Sequence, residues 1–410
     1  MSRMTVCILL LCLSLSAIPR AEGRRDTFRR LPVAVYRDKM KAGWVGQMAG
    51  VSFGAPTEFH WCGRITPADQ MPQWREGMIN DAFGQDDLYV EMTFLRTLER
   101  HGLEVSAKQA GADFAASQYG LAHANDAGRR NLRAGILPPD SGHPRFNNHA
   151  NDIDFQIESD FSGLVAPGLP NAVIALGDTF GHLMNYGDGV YAGQFVGAMY
   201  AESFFESDPV TLARRALRAI PAASQYAEMV RDVLRWYEQN PDDWERTWRL
   251  VEEKYHKDAA YVHGLCSEPG GEDAFCIDAK LNGAYILIGL LYGDRDAEQT
   301  MTIACRCGQD SDCNPSNAAG ILFTMIGFSR LDPRYTAGLD MGRVFSTTEY
   351  SFPRLLGACE KIARETVLAA GGRIERDEDG AECFVIPVRA PKVGPLERSW
   401  NPRPPRHPAR

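Results

Sequence analysis

Four glycines recur at three- or four-residue spacing in "KMKAGWVGQMAGVSFG", namely Gly43, Gly46, Gly50 and Gly54. Glycine lowers helix propensity by about 1 kcal/mol per residue relative to alanine, so a helix that carries this series needs support from its neighbours. A glycine face offers that support, because without a Cβ a second backbone can approach closely. The series therefore predicts a tightly packed helix at the centre of the fold.

The chain between residues 33 and 370 has the pattern of a helical protein. Apolar residues recur at spacings of three and four, as on one face of a helix. Two helix starts combine a capping side chain with a proline in the first turn, at Asp208-Pro209 and at Asn240-Pro241. Since no repeat or linker divides this region, we expect one large all-α domain.

The C-terminal residues 371–410 differ from the helical region. The stretch "RIERDEDGAECFVIPV" has two runs of strand formers around a turn at Asp379-Gly380, which predicts a short β-hairpin. The last residues are rich in proline and arginine, and we expect them to lie extended over the surface or to be disordered.

Composition limits the classes of function. The chain has 410 residues, 44% of them hydrophobic, and a formal net charge of -9. The isoelectric point is about 5.6. Nucleic acids and anionic membranes bind basic surfaces, so neither is an expected partner.

Residues 1–21 have the features of a secretory signal peptide. Arg3 precedes an apolar run from residue 6 to residue 15, and small residues follow up to Ala21. That run is too short to span a bilayer core of about 30 Å. We expect export to the periplasm or the extracellular space, with no membrane association after processing; a hydrophobic N-terminus that stays uncleaved is the alternative. In an oxidising compartment, Cys266 and Cys276 could form a disulfide across their loop.

Two acidic clusters lie at the beginnings of predicted helices. In "GQDDLYVEM", Gln85, Asp86 and Asp87 come at the start of a helix. Carboxylates at this position can cap the helix and interact with the positive end of its dipole. Capping explains one carboxylate better than two.

The second cluster lies in "GQDSDCNPSNAAG", where Asn314 is the expected cap of a helix and Pro315 its first-turn residue. Asp310 and Asp312 then lie just outside that helix, in a turn where their side chains can converge. Hard cations such as Mg²⁺ or Ca²⁺ take several carboxylate ligands. The residues alone leave two readings open, a shared metal site and ordinary helix capping.

Three segments, in the same order, resemble the ADP-ribosylglycohydrolase superfamily, the all-helical, Mg²⁺-dependent hydrolases that include the dinitrogen-reductase-activating glycohydrolases. They are "GVSFGAPTEF", "GQDDLY" and "GQDSDCNPSNAAG", within residues 38–330. The resemblance implies an ADP-ribosylglycohydrolase-like helical domain with a short C-terminal β-hairpin. It also implies that Glu58 is the catalytic carboxylate.

The same resemblance implies a set of metal ligands for one or two Mg²⁺ ions, with Ca²⁺ or Mn²⁺ as alternatives. Gln85 and Cys313 stand where the family has threonine, and a thiol is poorly matched to a hard cation. The implied ligands are Gln85, Asp86, Asp87, Asp310, Asp312 and Cys313.

The middle of the chain departs from the family. Where the family has a glycine-rich stretch that holds phosphate, this chain has "DFQIESDFSGLVAP". Carboxylates repel a pyrophosphate, whereas they can bind sugar hydroxyls, and an aromatic ring can stack on a sugar. The expected substrate-binding residues are Asp154, Glu158, Asp160, Phe161 and, by family position, His182.

The sequence therefore predicts an exported, divalent-metal-dependent hydrolase that cleaves an N- or O-glycosidic bond in a small, phosphate-free sugar conjugate. One alternative is a hydrolase of ADP-ribosyl proteins or other ADP-ribose conjugates. The other is a non-catalytic carbohydrate-binding protein of the same fold.

Overall fold

A computed structural model describes residues 27–267 and 269–406. Helices dominate these residues, as the apolar spacing predicts. The helices are α1 (Val33–Gly54), α2 (Asp86–His101), α3 (Ala107–Ala115), α4 (His123–Arg133), α5 (Asp154–Ile157), α6 (Asp160–Leu164), α7 (Pro170–Phe180), α8 (Asp188–Ser203), α9 (Pro209–Ala216), α10 (Gln225–Gln239), α11 (Trp244–Val251), α12 (Ala279–Tyr292), α13 (Ala297–Arg306), α14 (Cys313–Ile326) and α15 (Phe352–Ala369).

The glycine-rich helix α1 is central and packs most extensively against α14. A Cβ at Gly46 would lie 2.3 Å from the carbonyl oxygen of Ala319, and one at Gly50 would lie 2.2 Å from that of Pro315. Carbon and oxygen atoms without a bond between them do not approach so closely, so only glycine fits at these positions. The predicted close helix contact is confirmed, and its partner is the helix that follows the second acidic cluster.

A three-stranded antiparallel sheet joins the first described residues to two strands near the C-terminus, in the order β1-β3-β2. The predicted hairpin is confirmed by β2 (Arg373–Arg376) and β3 (Glu382–Pro387). The third strand, β1 (Phe28–Pro32), was not predicted, since its sequence "FRRLP" is short and carries two arginines. Pairing with β3 over its whole length is what makes it a strand.

Of the three residues predicted to cap a helix, two do not occupy the cap position. Asp208 caps α9 as expected, accepting a hydrogen bond of 2.8 Å from the Thr211 N–H. Asn240 instead follows the end of α10, and Asp243 caps α11. Asn314 is not a cap either, because α14 begins at Cys313 and the Asn314 amide donates to Asn282 in the core.

The Pro/Arg-rich tail lies along the surface, so the extended alternative is the one observed up to residue 406. The Ser399 hydroxyl donates to the Asn151 side chain at 2.6 Å. The Trp400 ring stacks on His263 with a centroid distance of 4.7 Å. These contacts hold the tail against the helical domain.

The disulfide predicted between Cys266 and Cys276 is absent, because both residues are free thiols. The predicted signal peptide lies outside the described residues. Among residues 27–267 and 269–406, none of the helices combines the length and the hydropathy that a transmembrane span requires.

Candidate metal centre

The two acidic clusters come together at the starts of α2 and α14. Donor atoms of Asp310, Asp312 and Cys313 lie within 4.8 Å of one another. The Cys313 thiol donates to Asp87 Oδ2 at 3.3 Å, which joins the second cluster to the first. We call Asp86, Asp87, Asp310 and Asp312 the acidic centre.

Several oxygens of the acidic centre have no hydrogen-bond partner among the described residues. They are Asp87 Oδ1, Asp310 Oδ1 and Asp312 Oδ1, all of them buried. A buried carboxylate oxygen without a partner is costly, so these oxygens are suited to bind a cation. Helix capping does not account for the Asp312 oxygen, because the side chain of Asp312 makes no capping bond at the start of α14.

Burial and crowding raise the pKa values of the carboxyl groups. Burial raises the pKa of Asp87 well above its usual range, and the charges of Asp86 and Asp312 add to this. Burial and the neighbouring Asp312 also raise the pKa of Asp310 strongly. A divalent cation would reverse these shifts, since it compensates the charge that burial and repulsion disfavour. Oxygen ligands at this density fit a hard cation such as Mg²⁺.

The loop before α14 has a backbone that places Asp310 and Asp312 beside the end of α1. Gly308 has φ of +84°, and a Cβ there would lie 2.2 Å from the carbonyl oxygen of Trp61. The Thr57 and Ser311 hydroxyls hydrogen-bond at 2.8 Å. These contacts bring the segment that carries Glu58 next to the acidic centre.

Glu58 lies at the solvent-exposed edge of the centre. Desolvation on its protein-facing side raises its pKa to about 7, and the charges of Asp312 and Asp86 contribute in the same direction. A carboxyl group with this pKa can both hold and release a proton near neutral pH.

The two positions where the family has threonine differ from each other. Gln85 is half-buried directly before α2, and its side chain makes no capping bond. Cys313 is buried and acts as a hydrogen-bond donor to Asp87. Its thiol therefore orients a carboxylate of the centre.

Asp154 and Glu158 form a further pair of acidic residues, which we call the acidic wall. Both contact Asn125 at the start of α4. The Asn125 N–H donates to Asp154 Oδ1 at 2.8 Å, and its side-chain amide donates to Glu158 Oε1. The other oxygens, Asp154 Oδ2 and Glu158 Oε2, are buried without a partner among the described residues. Burial raises the pKa of Asp154 to about 8, with Asp152 and then Asp86 among the further causes. The wall is thus electrostatically coupled to the acidic centre.

Asp160 and Phe161, expected to bind substrate, are core residues. Asp160 accepts hydrogen bonds from the Tyr200 hydroxyl at 2.6 Å and from the Asn317 amide at 2.8 Å, so both of its oxygens are occupied. The Phe161 ring is fully buried and packs against other phenylalanines. The expectation that these two side chains face a substrate is not what the structure shows.

His182 also has another role than the one its family position suggests. Its Nε2 pairs with Glu397 of the C-terminal tail at 3.0 Å, and its Nδ1 lies 3.0 Å from the Asp178 carbonyl oxygen. The side chain is 13% exposed. His182 fastens the tail to the domain.

Two supporting residues escaped the sequence reasoning. Glu91, one turn after Asp87, accepts from the Gln47 amide at 2.7 Å and from the Phe161 N–H at 2.8 Å. Gln309 accepts from the Cys276 N–H and donates to the Ala274 carbonyl oxygen, both at 2.9 Å. The repeated Gly-Gln-Asp triplet could have drawn attention to Gln309, whereas Glu91 gives no sequence signal.

The fold and this centre define a mostly helical protein with a buried carboxylate cluster of the type that holds divalent cations. A sequence model described as ADP-ribosylglycohydrolase matches residues 32–368. The chain belongs to the ADP-ribosylglycohydrolase family, whose members are generally hydrolytic and typically bind divalent metals.

Similarity to solved structures supports the same fold. One chain, described as an "ADP-ribosylglycohydrolase-related protein complex", superposes with a TM-score of 0.51 at 13% sequence identity. The alignment covers 81% of this chain and 99% of that one. A search of curated proteins finds no match.

Proposed function

We propose that this protein is a divalent-metal-dependent hydrolase that cleaves an N- or O-glycosidic bond in a small, phosphate-free sugar conjugate. The observation that carries the proposal is the pair of buried oxygens Asp154 Oδ2 and Glu158 Oε2 beside the acidic centre, which have no hydrogen-bond partner in the described part of the chain. Burial raises the pKa of both carboxyl groups, so near neutral pH they are largely protonated and can exchange hydrogen bonds with sugar hydroxyls, but they offer no positive charge to a pyrophosphate.

Asp86, Asp87, Asp310 and Asp312 would hold the metal, with Mg²⁺ as the expected ion and Gln85 as a further oxygen donor. When bound, a divalent cation would lower the pKa of a coordinated water and help to orient the sugar. The donor set fits such an ion, because three of the four aspartates present a free buried oxygen. Cys313 would support the centre through its hydrogen bond to Asp87.

Glu58 is the proposed acid or base. Its pKa of about 7 lets it take a proton from the attacking water or give one to the departing group near neutral pH. The loop that carries it is fixed by the bond between Thr57 and Ser311 and by the Phe59 N–H, which donates to the Gln309 carbonyl oxygen at 3.0 Å. These two bonds hold the Glu58 segment beside the loop that carries Asp310 and Asp312.

Asp160 has a positioning role in this proposal. Its bonds from Tyr200 and Asn317 join α6 to α8 and to α14, the helix that follows Asp312. Glu91 accepts a hydrogen bond from the Phe161 N–H and so joins α6 to α2. Together these bonds hold α2 and α14, the helices at the metal-binding aspartates, in place.

The test is a panel of substrates that compares phosphate-free N- and O-glycosides with ADP-ribose conjugates. We expect hydrolysis of a phosphate-free glycoside, loss of turnover on chelation, and recovery with Mg²⁺. Asp310→Asn and Asp312→Asn should abolish turnover, whereas Asp242→Asn, at an exposed position, is the matched control. Full activity of both centre variants would contradict the proposed metal role.

A second candidate is an ADP-ribosyl hydrolase, which the family membership favours. Cleavage of ADP-ribose conjugates alone would establish it and would refute the proposed role of the acidic wall. Binding of glycosides without turnover, under all metal conditions, would instead identify a non-catalytic carbohydrate-binding protein.

A further inference from the structure

A second group of metal-ligating side chains lies outside the acidic centre. Donor atoms of His123, His149, Asp152 and Cys266 all lie within 4.8 Å of one another. We call these four residues the histidine cluster. They come from three separate parts of the chain: the first residue of α4, the turn before α5 and the loop between α11 and α12.

We propose that the histidine cluster binds one Zn²⁺ ion. Imidazole nitrogen, thiolate sulfur and carboxylate oxygen are the ligands that Zn²⁺ prefers, and four protein ligands are typical of a structural site. Tetrahedral coordination with bonds of about 2.0–2.3 Å separates the donor atoms by about 3.3–3.8 Å. The present spread of up to 4.8 Å requires only small side-chain movements to reach that geometry.

A buried carboxylate oxygen of the cluster has no hydrogen-bond partner in the described part of the chain, and this is an independent indication of a ligand. The Asp152 side chain is fully buried, and its Oδ1 has no hydrogen-bond partner among the described residues. Its Oδ2 contacts His149 Nδ1 at 2.7 Å. The nearby buried ammonium of Lys280 pairs with Asp278 at 2.9 Å, so it leaves Asp152 without a direct cation.

The contact between Asp152 and His149 also suits a metal site. It already brings two of the four donor groups together, and the ion would replace the proton that they share, so that Asp152 and His149 would each bind it directly. His123 and Cys266 complete the set, and neither makes a side-chain hydrogen bond within the described part of the chain. The rings of His123 and His149 lie edge to face with a centroid distance of 5.7 Å.

The proposed ion would fasten the loop between α11 and α12 to the body of the domain. That loop already contacts residues near the cluster, because the Leu265 N–H donates to the Asn148 carbonyl oxygen at 3.0 Å. Its other side is held by Gln309, next to Asp310 of the acidic centre. Zinc at the histidine cluster would therefore stabilise one wall of the candidate active site without taking part in it.

The first experiment is a Co²⁺ titration of the reduced, full-length protein in excess Mg²⁺, which keeps the acidic centre occupied. We expect the thiolate-to-cobalt absorption and the visible bands of tetrahedral Co²⁺, both displaced by Zn²⁺. Cys266→Ser should lose the thiolate absorption, and Zn²⁺ stoichiometry should fall by one ion per chain. His123→Ala should weaken Zn²⁺ binding at least about tenfold.

The matched controls are Cys313→Ser, which removes the thiol of the acidic centre, and Cys383→Ser on β3; both should keep the absorption. A second measurement needs no variant: Zn²⁺ should protect Cys266 of the native protein from alkylation, as mapped by peptide mass spectrometry. Absence of the thiolate absorption, its persistence in Cys266→Ser, or Cys266 found oxidised to Cys276 in the purified protein would each overturn the proposal.

Discussion

Replacement of Gly50 by alanine should disturb the contact between α1 and α14 and, through it, the acidic centre. The added Cβ would lie 2.2 Å from the Pro315 carbonyl oxygen, whereas ordinary contacts begin at 3.4 Å, so the two helices must separate by about 1 Å. Overpacking against rigid backbone costs about 3 kcal/mol, and the higher helix propensity of alanine returns about 1 kcal/mol. We expect a net destabilisation of about 2 kcal/mol, which for a chain of this length corresponds to about 2 °C in Tm.

The displacement should affect metal binding more than stability. Pro315 lies three residues after Asp312, and a metal site tolerates changes in ligand distance of only about 0.2 Å. Thermal denaturation and calorimetric Mg²⁺ titration should show a lower Tm and an affinity reduced at least about tenfold. The control is Gly357→Ala on α15, where a Cβ meets no atom within 4 Å, so that alanine should stabilise the protein slightly. A Gly50→Ala protein with unchanged Tm and unchanged Mg²⁺ affinity would refute this account of the helix contact.

Three further predictions concern single side chains. In the metal-free protein, the raised pKa of Asp154 means that the folded state keeps a proton that the unfolded chain releases, so stability is lost as pH rises from about 4 to about 8. Asp154→Asn should remove this loss in part, so that at pH 8 the free energy of unfolding, measured by chemical denaturation, falls less than in the unaltered protein, by up to about 5 kcal/mol. An unchanged pH profile would refute the assignment. Burial lowers the pKa of His182, but the bond and charge of Glu397 outweigh burial and raise it, so the pair stabilises the protein below the unfolded pKa of about 6.5 and this contribution is lost above the folded pKa. Glu397→Gln should therefore lower Tm at acidic pH and have less effect at alkaline pH; equal effects at both would count against the pairing. Cys313→Ser replaces a soft thiol by a hard hydroxyl and should raise Mg²⁺ affinity in calorimetry, whereas a loss of affinity would show that the thiol bond to Asp87 matters more.

Local sequence signals predicted the elements of the fold better than their ends. The glycine series of α1 identified a close helix contact, because that property depends on the absence of Cβ atoms and not on the partner. Asn314 was a reasonable cap by residue type, yet α14 begins at Cys313 because tertiary contacts, including the bond from Asn314 to Asn282, fix the backbone there. Strand β1 depends on pairing with β3, which no local pattern of "FRRLP" reveals.

The candidate metal centre was predicted only in part for a similar reason. Asp310 and Asp312 were recognisable because two carboxylates exceed what a helix start needs. Phe161 was assigned by its aromatic ring and His182 by its family position, whereas the packing of each depends on distant residues, such as Glu397 of the tail for His182. The histidine cluster was out of reach of the sequence, since its ligands come from three segments that meet only in the folded chain.

The central claim is that the acidic centre binds a divalent cation, and anomalous diffraction from crystals soaked in Mn²⁺ tests it most directly. Mn²⁺ prefers the same oxygen ligands as Mg²⁺ and has a usable anomalous signal. The account predicts an anomalous peak within bonding distance of carboxylate oxygens of Asp87, Asp310 and Asp312, displaced by excess Mg²⁺. Absence of a peak at these residues, at Mn²⁺ concentrations that saturate the protein in solution, would contradict it.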